Sequence, residues 1–127
     1  IDFESHTTLR ILDYGMGNGD LSKYLLQNHQ SVVVDGFDPY KHDLGGFLKE
    51  SQKFRFFSEE SSLLSSSTLY DYIILLQSFE HISNPRDVVN KLRGKLKPNG
   101  SIFMENSLVK SNSKIGKSVI QQKAKEL

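Results

Sequence analysis

The run ILDYGMGNGD at positions 11–20 constrains the fold of this chain more than any other feature. Its pattern predicts an apolar strand that ends in an acid, followed by glycines at alternate positions and then by a helix. Glycine adopts positive φ readily and lets a ligand lie against bare main chain. In open α/β sheets, a strand, a glycine turn and a helix in this order build a nucleotide site. The run therefore predicts an α/β fold with a ligand site where its first strand ends.

Composition restricts the class of protein more than its activity. We interpret the 127 residues as one domain covering positions 1–127. A formal net charge of +1 gives no global basic field, so neither nucleic acid nor an anionic membrane surface is an expected partner. No stretch approaches the roughly 20 apolar residues that a membrane span needs. The chain starts at Ile1 without a signal segment, and we interpret it as part of a longer cytoplasmic protein.

The residue types and their spacing do not favour a metal site in this chain. The chain has no cysteine, which excludes disulfides and thiolate metal sites within it. The histidines at positions 6, 29 and 42 lack the spacing of metal ligands. We therefore expect them at the surface and predict no metal site.

Strand and helix patterns alternate along the chain, which predicts a parallel sheet with helices on both faces. The predicted strands cover positions 9–14, 31–37, 53–57, 70–76 and 101–105. The expected helices cover 18–28, 40–50 with an interruption at Gly45-Gly46, and a segment opened by Pro85 with Asn84 as its cap. The three phenylalanines of the third strand are expected in the core of the sheet.

Three further segments complete the prediction. The serine-rich stretch 58–67 is expected to be a loop with one helical turn around Leu63-Leu64, because serine competes for backbone hydrogen bonds. The triplet Pro98-Asn99-Gly100 predicts a turn before the last strand. The polar tail is expected to be helical over 119–126.

A second acid, Asp38, stands where a ribose-binding group would be expected. It follows the second strand and lies 19 positions after Gly19, close to the roughly 20 that separate a glycine turn from a ribose-binding acid. A carboxylate has two acceptor oxygens and can hold both hydroxyls of a ribose. Asp35 is the competing acid, but it lies inside the predicted second strand, directly after Val32-Val33-Val34.

With these motifs placed, positions 8–106 resemble the class I S-adenosylmethionine-dependent methyltransferases. The first family motif, an acid and then alternate glycines, stands here as Asp13-Tyr14-Gly15-Met16-Gly17-Asn18-Gly19. The second, an acid that closes the second strand, is matched by Asp38-Pro39. The third begins with the strand 70–74, continues through Phe79-Glu80-His81 and Leu96-Lys97-Pro98-Asn99-Gly100, and ends at Met104.

The resemblance implies a doubly wound, mainly parallel Rossmann-like sheet of strand order 3-2-1-4-5 that lacks the final strands of the family. It also implies S-adenosyl-L-methionine as cofactor and a small molecule as methyl acceptor. The cofactor-binding residues that it implies are Asp13, Tyr14, Gly15, Met16, Gly17, Gly19, Asp38, Pro39, Ser58, Glu59, Gln77, Ser78 and Phe79.

The resemblance gives several of these residues a role, each with a structural alternative. Asp13 would receive the cofactor's ammonium, or would only pin the glycine loop. Ser58 and Glu59 would meet the adenine, or would be solvated loop residues. Gln77, Ser78 and Phe79 would line the transfer site. His81 would be a general base, because its ordinary pKa lies near neutrality, or would only anchor the start of a helix.

Three other functions stay open at this point. A nicotinamide-dependent dehydrogenase also binds its cofactor at a glycine turn between a strand and a helix. Its fingerprint, however, requires a third glycine at position 20, and this chain has Asp20 there. A cofactor-binding module without catalysis would act through a partner subunit or as a homodimer. The third alternative is a structural domain that binds no ligand, which would not account for the presence of the three motifs.

Overall fold

The computed structural model describes residues 7–40, 43–75 and 84–104. They form a parallel sheet with the strand order β3-β2-β1-β4-β5. The strands are β1 (Leu9–Tyr14), β2 (Val32–Phe37), β3 (Phe54–Phe57), β4 (Tyr70–Leu75) and β5 (Leu96–Met104). The helices between them are α1 (Asp20–Asn28), α2 (Gly45–Glu50), α3 (Glu60–Ser65) and α4 (Pro85–Arg93).

This topology confirms the predicted doubly wound fold. Strand β1 lies between β2 and β4, pairing Leu12 with Asp35 on one side and with Ile73 on the other. The chain leaves β1 toward β2 and later returns to β4 on the opposite side, so the connections diverge next to the end of β1. Ligands of open α/β sheets bind at such a switch point.

Each face of the sheet has its own hydrophobic core. On the first face, Leu25 of α1 packs with Ile11, Val34 and Ile74. On the second face, Leu63 of α3 and Leu92 of α4 pack with Leu12 and Ile73. These side chains are almost completely buried. Burial of this kind stabilises by about 1.5–3 kcal/mol per large apolar side chain, and it holds the strand ends in place.

Several local predictions are confirmed. Strand β1 has the predicted bounds. Helix α4 begins at Pro85, and the side chain of its cap Asn84 accepts a hydrogen bond from the amide of Asp87. The sequence reveals such features because they depend on neighbouring residues alone.

Other local predictions are wrong. The pair Gly45-Gly46 begins a helix instead of interrupting one. The helical turn predicted around Leu63-Leu64 is confirmed, but helix α3 is longer than predicted and covers Glu60–Ser65, because Leu63 is drawn into the core. His29 is buried at the end of α1, and Phe56 is exposed at the edge of the sheet. An edge strand has only one neighbour, which leaves part of its surface open.

The predicted turn at Pro98-Asn99-Gly100 lies inside β5 as an irregularity of the strand. The pairing moves from Leu96 opposite Tyr70 to Ser101 opposite Tyr72, so the extra residues bulge out of the ladder. Asn99 takes a φ of 69° there, a conformation that asparagine tolerates better than most residues. Within the described ranges, none of the helices has the length and apolarity of a membrane span. The predicted helix over 119–126, His6 and His42 lie outside the described residues.

Candidate functional site at the carboxyl ends of the strands

The glycine turn between β1 and α1 is tied to the end of β2. Its three glycines, Gly15, Gly17 and Gly19, have φ angles of 76°, 60° and 89°. The amides of Gly15 and Met16 both donate to the carbonyl oxygen of Phe37, at 2.6 and 3.0 Å. A side chain at Gly19 would also approach Leu48 Cδ1 to 2.5 Å. The turn therefore requires glycine for its conformation and for its packing.

Met16 contributes to this turn through its main chain. Its side chain is buried and fills the space over Gly36, where an added Cβ would lie 2.0 Å from the methionine sulfur. The side chain thus belongs to the core between the glycine turn and β2. Only the backbone of Met16 is left to face a ligand.

Asp38 connects the second strand to the glycine turn. It is 6% exposed, and its Oδ2 accepts a hydrogen bond from the amide of Gly17 at 2.9 Å. Its Oδ1 accepts from the amide of Tyr40 at 2.8 Å. A carboxylate oxygen can accept more than one hydrogen bond. Pro39, the next residue, is exposed.

Asp13 is the second buried acid beside the turn. Its Oδ2 accepts a hydrogen bond from the hydroxyl of Ser22 in the first turns of α1, at 2.8 Å. Burial raises the pKa of Asp13 to about 6, against the lowering effect of its bonds to Ser22 and with a small contribution from the charge of Asp38. A carboxylate that is costly to ionise would be stabilised by a cationic ligand.

The loop after β3 begins next to Asp38, at the same edge of the sheet as the glycine turn. The carbonyl oxygen of Phe57 accepts a hydrogen bond from the amide of Asp38 at 3.2 Å. Ser58 and Glu59 follow and are exposed. The glycine turn, Asp38 and this loop are therefore joined by hydrogen bonds.

Tyr14 has a structural neighbour that the sequence did not indicate. Its ring is buried and packs on Phe37 with the ring centroids 4.7 Å apart. Its hydroxyl donates to Glu60 Oε2 at 2.8 Å. Burial and the neighbouring Glu60 raise the pKa of Tyr14 above its usual range.

Asp35, the competing acid, lies away from this site. Arg55 donates to both of its carboxylate oxygens, at 3.2 and 2.7 Å, and the hydroxyl of Tyr70 also donates to it. Arg55 in turn donates to Thr68 at 3.0 Å. A groove of about 410 Å³ beside these residues is lined by Arg10, Val33, Asp35, Gln52, Lys53, Phe54, Arg55 and Thr68. It lies toward the starts of the strands, so we assign it to this ion-pair network.

The remaining predicted site residues, Gln77, Ser78, Phe79 and His81, lie outside the described residues. Two relationships could not be found from the sequence, the bond from Tyr14 to Glu60 and the enclosure of Asp35. The one available signal for the second was an acid inside a largely buried strand, since a buried charge needs a partner.

A family profile described as a methyltransferase domain matches residues 3–124. The chain belongs to the methyltransferase domain family. Solved structures agree on the fold. The plantazolicin methyltransferase BamL, determined with a desmethylPZN analogue and SAH, has a TM-score of 0.66 and 25% identity over 79% of this chain. The StiE O-MT structure has a TM-score of 0.69 at 15% identity over 82% of this chain, which supports the fold alone.

Relatives of this methyltransferase domain include ubiquinone biosynthesis O-methyltransferases. The protein from Rickettsia felis is 31% identical over 94 residues, which is 72% of this chain and 38% of the relative. The mitochondrial protein from Schizosaccharomyces pombe is 31% identical over 102 residues, 75% of this chain and 36% of the relative. The matched region therefore spans less than half the length of these relatives.

Proposed function

We propose that this methyltransferase domain binds S-adenosyl-L-methionine at the carboxyl ends of β1 and β2 and transfers its methyl group to a small-molecule hydroxyl. The observation that carries the proposal is the bond from Gly17 to Asp38. This bond joins Asp38, the acid that we propose for the ribose, to the glycine turn, and so supports the proposal of a single extended ligand. The membership of the methyltransferase family supports the same ligand.

The residues present fit the chemical groups of this cofactor. Asp38 lies beside the glycine turn, and the two oxygens of a carboxylate can accept from the two hydroxyls of a ribose. Asp13 is buried and has a pKa of about 6, so a ligand ammonium would favour its ionised form. Ser58 and Glu59 offer polar groups beside the position proposed for the adenine.

The bound cofactor supplies an activated methyl group on a positively charged sulfur. The protein's part is to hold the acceptor in line with the bond that breaks and to exclude water. Orientation of this kind contributes up to about 7–11 kcal/mol in favourable cases. His81 is proposed as the general base for an acceptor that must lose a proton as it attacks.

The proposed acceptor is a hydroxyl of a quinone precursor. The support comes from the ubiquinone biosynthesis O-methyltransferases among the relatives. A relative from Papaver bracteatum, a probable (S)-tetrahydroprotoberberine N-methyltransferase, matches at 26% identity, so a nitrogen acceptor is the second class to test.

The test has a binding stage and a transfer stage. Isothermal titration with S-adenosylmethionine, S-adenosylhomocysteine and NADH is expected to show binding of the first two compounds only. Radiolabelled methyl transfer is then measured to catechols, to mono-hydroxylated aromatics and to amines of matched size. Binding of NADH alone would contradict the cofactor assignment. Binding of S-adenosylmethionine with no transfer to any acceptor would instead favour a module that acts through a partner.

A further inference from the structure

We propose that Tyr14 and Glu60 are positioning residues that fix the loop of Ser58 and Glu59 against the glycine turn. The inference rests on the proposed function, because this loop is proposed to meet the adenine. It assigns a role to a hydrogen bond between residues 46 positions apart.

The loop is held at both of its ends. On its first side, Phe57 accepts a hydrogen bond from the amide of Asp38. On its second side, Glu60 accepts a hydrogen bond from the hydroxyl of Tyr14. Only Ser58 and Glu59 lie between these two attachments. One attachment leads to the proposed ribose acid and the other to the residue that precedes the glycine turn.

Helix α3 depends on such an attachment. It covers only Glu60–Ser65, and its N-cap Glu59 makes no side-chain capping hydrogen bond. Helices this short are unstable without tertiary contacts. Leu63 is fully buried and holds the middle of the helix. Its first residue, Glu60, is held by the bond to Tyr14 at 2.8 Å and by a longer ion pair with Lys91 at 3.3 Å.

Tyr14 is well suited to this role, because its side chain is itself fixed. It is 5% exposed, and its ring lies against Phe37 at the end of β2. A hydroxyl on a fixed ring defines where its acceptor must lie. Lys91 of α4 binds the other oxygen of Glu60 at 3.3 Å, but both of these side chains are partly exposed, so this ion pair is the weaker contact.

The experiment measures the Kd of S-adenosylhomocysteine for the full chain and its variants. Tyr14→Phe keeps the ring and removes the hydroxyl, whereas Glu60→Ala removes the acceptor. We expect each to weaken binding by about five- to tenfold, which corresponds to the net contribution of one typical intramolecular hydrogen bond. The double variant should be no weaker than Glu60→Ala alone, because both changes remove the same bond.

Two further variants separate positioning from general stability. Glu60→Gln keeps an acceptor for Tyr14 and is expected to bind within about twofold of the wild type. Lys97→Met removes the ion pair between Lys97 and Asp71, which lies at the starts of β4 and β5, and is expected to leave the Kd unchanged. Hydrogen exchange of the ligand-free Tyr14→Phe variant should rise in residues 58–65 and stay constant in β4.

The outcomes are distinguishable. If the wild type binds and Tyr14→Phe binds equally well, or if the two single losses add in the double variant, the positioning role is overturned and the proposed function stands. Unchanged exchange in residues 58–65 would overturn it in the same way. If the wild type binds no S-adenosylhomocysteine at all, both proposals are overturned.

Discussion

Two buried aspartates, Asp35 within β2 and Asp38 just after it, have opposite kinds of partners. Asp35 is enclosed by side chains, with Arg55 on both of its oxygens and Tyr70 on one. Asp38 is held by two backbone amides, those of Gly17 and Tyr40. Both acids are less than a tenth exposed. Burial therefore does not distinguish them, and only their partners do.

We propose that this segment separates a structural acid, Asp35, from a ligand-binding acid, Asp38. A carboxylate neutralised by a guanidinium has its charge balanced within the fold. The Asp38 carboxylate instead accepts from two backbone amides beside the glycine turn, where we propose that it meets the ligand. We therefore expect changes at Asp35 to affect mainly the free energy of unfolding, and changes at Asp38 to affect mainly ligand affinity.

The largest expected effect is that of Asp35→Ala on stability. It leaves Arg55 and Tyr70 without their shared acceptor, and breaking a buried ion pair costs about 3–5 kcal/mol. Because the Arg55 side chain is 49% exposed, we expect a loss of about 2–4 kcal/mol in urea unfolding. The Kd of S-adenosylhomocysteine should change by less than about threefold, measured below the unfolding transition. A large loss of affinity with unchanged stability would reverse the assignment of the two acids.

Asp38→Ala should show the opposite pattern. It removes the acceptor proposed for the ribose hydroxyls, and hydrogen bonds to a charged group contribute about 1.5–3 kcal/mol. We expect the Kd to rise by about 30-fold or more. The matched comparison is Asp35→Asn, which should bind normally. Calorimetry that finds the same Kd for Asp38→Ala and the wild type would contradict the ribose assignment.

A third buried acid, Asp13, adds a pH dependence of stability to the comparison of Asp35 with Asp38. Its pKa is raised from 3.8 to about 6 by burial, so between these values the folded chain holds a proton that the unfolded chain has released. The free energy of unfolding should therefore fall as the pH rises from about 4 to about 6, by up to about 3 kcal/mol. Urea titrations of Asp13→Asn should lack this slope and show greater stability at pH 7, by about 1 kcal/mol or more. A wild-type curve that rises through this window would contradict the raised pKa.

The smallest effect belongs to the partly exposed pair of Lys97 and Asp71. Their side chains are 36% and 25% exposed, and pairs of this type contribute about 0–1 kcal/mol. Thermal unfolding of Lys97→Met should lie close to that of the wild type, with a further decrease in the difference at high salt. A loss comparable with that of Asp35→Ala would show that exposure is a poor guide to these ion pairs.

Much of the site could be predicted, because its main parts are local. The glycine spacing predicted the turn that the φ angles of Gly15, Gly17 and Gly19 now show. The choice of Asp38 over Asp35 as the ribose acid depended on position relative to the end of the strand and stays a prediction, while the structure shows Asp38 bonded to Gly17. Errors arose where packing overrode local preference, as in α3, where the burial of Leu63 stabilises a helix that its serines disfavour.

The sequence alone determined the alternation of strands and helices, the glycine turn and the cap at Asn84, since each depends on residues close together in the chain. The tertiary structure alone decided which side chains meet. The hydroxyl of Tyr14 bonds to Glu60, which is 46 positions away in the chain, and the hydroxyl of Tyr70 bonds to Asp35, which is 35 positions away. The physical reason is that periodicity records which face of an element is buried, whereas a pair of polar side chains depends on register and crossover geometry that no local pattern encodes.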